Sequence, residues 1–201
     1  MKRIGLLLFP ILAIALMLGG TAVAQNVGDN TIFFTTYYSN ANTSGAPDAT
    51  LRIVNDGDQG APQPSGDLYA AIYVFDDSQE LTECCACLVS PDGLLSESVN
   101  KELTSTPLTG VKKSRGVIKI ISSSSSDPTA PAPLAGLHGW ATHIQAASNQ
   151  PEKSPWYVTE TALADSNLGS AEETLLGQLC YFADTLLSGT GCSCTPEDYD
   201  F

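Results

Sequence analysis

Six cysteines, gathered in two clusters far apart in the chain, restrict its fold more than any other feature. Cys84, Cys85 and Cys87 fall inside the run Leu81–Val89, which has the length and composition of a β-strand. Cys180 lies in a helical pattern near the C-terminal end, and Cys192 and Cys194 follow in a small-residue tail. An even count behind an export signal reads as a disulfide framework. Strand alternation puts Cys85 and Cys87 on one face and Cys84 on the other. The Cys-x-Cys pair at 192 and 194 matches two residues on one face of a neighbouring strand, so the C-terminal cluster is expected to be stapled back onto the strand cluster. Six cysteines allow fifteen pairings, and the sequence does not choose among them; only a strained bond between adjacent Cys84 and Cys85 is disfavoured. Bridges over such distances contribute roughly 4–5 kcal/mol each in the chain-entropy picture, an upper figure. The rival readings, a metal centre or a redox dithiol, are disfavoured: Cys84 and Cys87 stand at Cys-x-x-Cys spacing, but Cys85 lies between them, no second such pair follows for zinc, and Leu88 stands where haem attachment needs histidine. No cofactor is expected.

The export signal is the first segment of the chain. Lys2 and Arg3 precede an apolar run from Ile4 to Leu18, and Ala22-Val23-Ala24 supplies an Ala-x-Ala end. This is the pattern of a secretory signal peptide over residues 1–24, with cleavage after Ala24. The run is short for a membrane span, carries Pro10 and has no stop-transfer charge, so no membrane insertion is expected after cleavage. The expected location is outside the cell or at its surface, with the periplasm as the other oxidising compartment. Residues 25–201 then carry 22 acidic and seven basic side chains. A charge near −15 excludes a nucleic-acid partner, whose phosphates need Lys and Arg. Expected partners are the chain itself, other extracellular proteins or glycans.

Eight apolar segments have strand character: Thr31–Tyr38, Leu51–Val54, Leu68–Phe75, Leu81–Val89, Leu94–Leu103, Val117–Ile121, Leu137–Ile144 and Tyr157–Leu163. Gly, Pro, Asn, Asp and Ser clusters punctuate them. Leu68–Phe75 is apolar on both faces and reads as a central strand, whereas Leu51–Val54 and Tyr157–Leu163 read as half-exposed. Ser90-Pro91-Asp92-Gly93 predicts a hairpin turn. One helix is expected, with Ser170 as N-cap, Glu173 closing a capping box, an apolar stripe of Leu175, Leu179, Phe182 and Leu186 facing the sheet, and Gly189 just past its end. Asn55–Asp67 and Ser122–Pro133 read as loops. The expected fold is mainly β, an antiparallel β-sandwich of immunoglobulin-like or jelly-roll-like type with one C-terminal α-helix, stabilised by disulfides. Residues 25–50 form an N-terminal strand with a flexible segment, and residues 51–201 the sandwich with its helix and Cys-rich tail.

Catalytic motifs are mostly missing. His138 and His143 are five apart in a predicted strand, which points them to opposite faces. Ser98-Val99-Asn100-Lys101 matches the Ser-x-x-Lys of penicillin-binding enzymes, but it falls in a predicted strand and lacks the companion motifs. Asp56-Gly57-Asp58 begins like a calcium loop, which makes Asp56 and Asp58 calcium candidates; Pro62 then stands where a third ligand belongs. Asp76, Glu97 and Glu160 offer carboxylates for a glycosidase pair, as any acidic protein does. Trp156 and Tyr157, with the aromatics of Thr31–Tyr38, serve either the core or a sugar platform. Ile32, Phe33, Phe34, Tyr37 and Tyr38 have one further option. A β-prone segment at the mature N-terminus completes its own sheet or is donated to a neighbour's, which would polymerise the protein head to tail.

The stretch from Ile72-Tyr73-Val74-Phe75-Asp76 through Glu83-Cys84-Cys85-Ala86-Cys87 and Pro91-Asp92-Gly93-Leu94-Leu95, with Ser98-Val99-Asn100, resembles an uncharacterised family of secreted bacterial proteins. Those proteins combine a Cys-Cys-x-Cys strand with a cysteine-rich C-terminal end; Val158–Thr161 and the acidic helix at 170–187 are similar too. The resemblance spans most of Leu51–Cys194. It implies secretion and a shared fold, and it carries over no catalytic residue. The expected role is therefore a structural, adhesive or interaction protein of the bacterial surface or extracellular matrix, not an enzyme, with self-assembly through the N-terminal strand as one form. A carbohydrate-binding module is the alternative, and a carboxylate-based hydrolase comes after it.

Overall fold

A computed structural model describes residues 30–58, 65–147, 155–186 and 191–194. The expected signal peptide, Gln59 to Pro62 of the acidic loop and Gly189 lie outside them. Nine strands and one long helix follow in chain order: β1 (Phe33–Tyr38), β2 (Thr50–Asn55), β3 (Leu68–Asp76), β4 (Leu81–Val89), β5 (Leu94–Ser98), β6 (Gly116–Ser123), β7 (Leu137–Ala146), β8 (Trp156–Ala162), β9 (Ala164–Asp165) and α1 (Ser170–Leu186). All strand pairings are antiparallel. One sheet has the order β4-β3-β6-β1-β9 and the other β5-β2-β7-β8. The two sheets pack face to face as a sandwich, the class that the strand spacing predicts.

Local sequence explains the placement of each strand. β3 is buried along nearly its whole length, because β4 and β6 flank it, one sheet face meets the sandwich interior and the other meets α1. Ala70, Ile72 and Val74 point inward to Leu51, Ile53, Leu95, Ile118 and Ile120. Ala71 and Tyr73 point outward to Leu176 and Ala183 of the helix. β2 alternates, with Leu51 and Ile53 inside and Arg52 half-exposed. Gly116 is obligatory at the start of β6: a Cβ there would stand 1.9 Å from the Phe75 carbonyl and 2.7 Å from the Tyr38 ring.

Four expectations need correction. Leu94–Leu103 is not one strand, since β5 ends at Ser98 and a single π-helical turn runs over Val99–Leu103. Polar groups cause the switch. Ser98 accepts from the Lys101 amide, the Glu102 carboxylate takes the Ser98 amide, and Asp48 takes the Asn100 amide. Val99 and Leu103, four apart, are the buried residues of that turn. The loop at Ser122–Pro133 begins later than its serines suggest: β6 continues through Ser122 and Ser123, whose hydroxyls are satisfied by the Leu134 and Ser125 carbonyls. α1 begins with Gly169 as cap, because the Glu173 amide already donates to the Gly169 carbonyl, so Ser170 lies inside the first turn. Its buried face is Leu176, Cys180 and Ala183, with Leu179 of the expected stripe partly buried beside them, while Leu175 and Phe182 are exposed. The longest apolar side chains do not choose the face; the cysteine does. A further strand, β9, continues β8 through buried Leu163 from one sheet to the other.

Three disulfides close the fold. Cys84 pairs with Cys180, Cys85 with Cys192 and Cys87 with Cys194, at sequence separations of 96, 107 and 107. Cys84 faces the helix, whereas Cys85 and Cys87 face the sandwich interior. Residues 191–194 lie along the outer edge of β4, with a parallel bridge from Cys84 to Gly191. Replacing Cys84 and Cys180 together by alanine should cost about 2–5 kcal/mol in urea denaturation and raise amide exchange throughout α1. An unchanged midpoint with a protected helix would contradict the staple.

Candidate interaction surface

The titratable groups fall into three separate places. At one end of the sandwich, Glu83 is fully buried; its Oε1 accepts from the Thr106 amide at 2.7 Å. Burial pushes its carboxyl up to about 7, opposed by that hydrogen bond and by Lys112. Asp76 is buried beside it in the β3–β4 turn, where its Oδ1 caps the Ser78 and Glu80 amides at 2.8 and 3.1 Å and Lys113 stands 3.7 Å from Oδ2. Asp77 is held below the usual carboxylate range chiefly by its hydrogen bond from Arg115. The phenol of Tyr38 is raised by burial and by the charges of Asp76, Asp77 and Glu83. These groups are tied to backbone and to one another.

His143 bridges the two sheets. Its Nδ1 lies 3.1 Å from the Tyr37 carbonyl, which can only accept, so Nδ1 carries a proton. Nε2 then takes the Thr161 hydroxyl at 2.8 Å, and the Tyr37 ring stacks on the imidazole with centroids 4.0 Å apart. Burial pushes the imidazole below its ordinary value, opposed by the hydrogen bond to the Tyr37 carbonyl. His138 is elsewhere, on the outer face of β7, with Nε2 3.1 Å from Asp56 Oδ2.

The third place is that outer face. β7 alternates, presenting His138, Trp140 and Thr142 outward while Leu137 and Ala141 enter the core. Trp140 is 42% exposed and sits in register with Arg52 of β2 and Ala162 of β8. Arg52 pairs with Glu160 on the same face. β8 forms the border of this sheet, and from Tyr157 to Ala162 every residue is exposed.

The other sequence candidates are dispersed. Asp56 is engaged by His138 and by the Asp58 amide, and although the Asp92 carboxylate lies beside Gly57, neither Asp56 nor Asp58 belongs to a group of three ligand atoms close enough to share an ion among the described residues. There, the groups close enough to share an ion are the sulfurs of Cys85, Cys87 and Cys194, all in disulfides. Asp76, Glu97 and Glu160 belong to three different strands, two of them buried and the third paired with Arg52. Ser98 is the last residue of β5 and caps the helical turn that follows, but Lys101 is exposed and the Ser98 hydroxyl donates to Asp48. Within the N-terminal segment, Phe33, Phe34 and Tyr38 are buried, Ile32 is partly buried and Tyr37 is exposed against His143. β1 pairs with β6 over six residues and with β9 over two, completing its own sheet. Trp140 is the aromatic that sequence reading passed over; its alternation with His138 and Thr142 was the available signal. Comparison with protein-family models, curated proteins and solved structures gives no match to this chain.

Glu83 and His143, both buried, act on stability with opposite signs. Glu83, raised in the fold from 4.5 to about 7, contributes stability that is complete below 4.5 and is lost as pH rises through about 7. His143, depressed below 6.5, contributes stability present above 6.5 and lost as pH falls toward its folded value. Glu83→Gln keeps the acceptor for Thr106 and removes the charge. It should raise stability at pH 8 by on the order of 2 kcal/mol and leave pH 5 nearly unchanged, as read by urea midpoints. Equal effects at the two pH values would contradict a buried charge at Glu83.

Proposed function

We propose that the chain is an exported structural or adhesive interaction module of a bacterial surface or extracellular matrix. The observation that carries this reading is the border of the four-stranded sheet. A cross-linked sandwich presents Trp140, Tyr157 and Val158 to solvent along the β7–β8 border. Exposed apolar groups clustered on a small domain mark places where something else docks. The three disulfides support an oxidising compartment, since such bonds persist there and are rare in the cytosol. Among the described residues no helix is long and apolar enough to cross a membrane. The leader pattern in residues 1–24 supplies the export route. The paired β1 argues against the N-terminal strand as the assembly element, because donation would first have to strip it from β6 and β9.

A second reading rests on Trp140. An exposed indole beside the Arg52–Glu160 and His138–Asp56 pairs offers a stacking face with hydrogen-bonding groups around it, the chemistry a neutral pyranose needs. A glycan array separates the two readings. Binding that is lost in Trp140→Ala supports the carbohydrate module, and a blank array removes it. For the main reading, fractionated cultures expressing the full chain should place an oxidised protein beginning at Gln25 outside the cytosol. A cytosolic, thiol-containing product with its leader intact would overturn that reading.

A further inference from the structure

We propose that β8 is an assembly edge, and that its partner is the β8 of a second copy, paired antiparallel about a two-fold axis through Thr159. This deepens the interaction-module reading and rests on it. The other sheet borders are short or shielded. β9 has two residues and β5 five. On the border of β4, the Thr82 and Cys84 carbonyls are taken by the amides of Leu108 and Cys192, at 2.9 and 3.3 Å. β8 runs seven residues, Trp-Tyr-Val-Thr-Glu-Thr-Ala, with no proline and a single charge. Glu160, the charge that would ordinarily repel another strand, is neutralised by Arg52.

The backbone fixes which groups are available. The Leu163 amide donates to Gly139 and the Pro155 carbonyl accepts from Ala147, so the odd-numbered residues of this segment point at β7. Val158, Glu160 and Ala162 therefore aim N–H and C=O away from the sheet. No strand lies beyond Val158, Glu160 and Ala162 among the described residues.

Self-complementarity selects a second copy and its register. A two-fold through Thr159 overlaps all seven residues. It puts Val158 opposite the partner's Glu160 and Tyr157 opposite the partner's Thr161. An axis through Glu160 sets two carboxylates face to face, which is destabilising, and an axis through Val158 shortens the overlap. In the chosen register Val158 and the partner's Glu160 exchange backbone hydrogen bonds. Thr159 then meets Thr159 of the partner subunit as a non-hydrogen-bonded pair, with Cα atoms about 4.5 Å apart. The two four-stranded sheets join into one continuous sheet.

The test uses the oxidised chain with its leader removed, by analytical ultracentrifugation over a concentration series. A concentration-dependent dimer is expected. Val158→Pro removes an N–H that faces solvent in the monomer, so the fold should survive while the dimer dissociation constant rises at least tenfold. Thr159→Lys sets like charges across the axis and should do the same without touching the backbone. Thr159→Cys should cross-link the dimer on mild oxidation, because the paired Cα atoms lie within disulfide reach, whereas Val158→Cys should not. A wild-type chain that stays monomeric overturns the proposal, as does a dimer indifferent to Val158→Pro and Thr159→Lys, or one cross-linked through position 158. A monomer that instead captures an added extended peptide through β8 assigns the edge to a foreign strand and also overturns it. None of these results bears on export, so failure here is distinguishable from failure of the module reading.

Discussion

β4 is where the rest of the structure is anchored. Three of its residues are covalently tied to the C-terminal end of the chain, Cys84 on one face and Cys85 and Cys87 on the other. The alternation of a strand turns that local spacing into two separate jobs. The outward bridge clamps α1 over Ala71, Tyr73 and Ile121, and the inward pair carries residues 192 and 194 into the sandwich interior. Without the tail, β4 would be a nine-residue open edge with unpaired carbonyls. Cys192 lies against it, held there by the bond to Cys85, and Leu108 covers the neighbouring position. The cross-links thus set the helix face, bury a sheet border and close the chain on itself in one strand.

Much of this was legible in the sequence. The central position of β3 followed from a run that is apolar on both faces, and β4 matched its predicted span because Leu81 and Val89 are bounded by turn residues on both sides. The break after Ser98 was less legible. Val99 and Leu103 are compatible with a strand, and only the partners of Ser98 and Glu102, which include distant Asp48, turn the chain into a helical coil. The helix face was misread for a related reason. Phe182 and Leu175 are the larger apolar groups, but the tether at Cys180 rotates the helix so that Leu176 and Ala183 meet the sheet. Tertiary constraints of this kind have no local signature. Trp140 was hidden differently, since sequence alone does not tell an aromatic of the core from one on an outer face; β8 was legible as a strand at Tyr157–Leu163, but not as a sheet border.

The contrast between the two long borders gives the fold its direction. β4 is bonded, covered and buried, while β8 is exposed on both faces and carries β-prone side chains with its charge already paired. Soluble domains ordinarily blunt such an edge with lysine, proline or a bulge. Here the chain devotes its covalent reinforcement to one side and leaves the other available. The buried His143 adds to this asymmetry. It fixes Thr161 of β8 to Tyr37 of β1, holding the open strand in place from beneath.

Residue-resolved amide hydrogen exchange, followed by NMR on the oxidised chain at low and high concentration, tests this account most directly. The Leu108 and Cys192 amides, which cover β4, should be protected at both concentrations. Along β8, the Thr159 and Thr161 amides should be protected in dilute solution while those of Val158 and Glu160 exchange freely, and all four should be protected when concentrated. Uniform protection of β8 in the dilute monomer, or free exchange at Leu108 and Cys192, would contradict a fold that seals one border and offers the other.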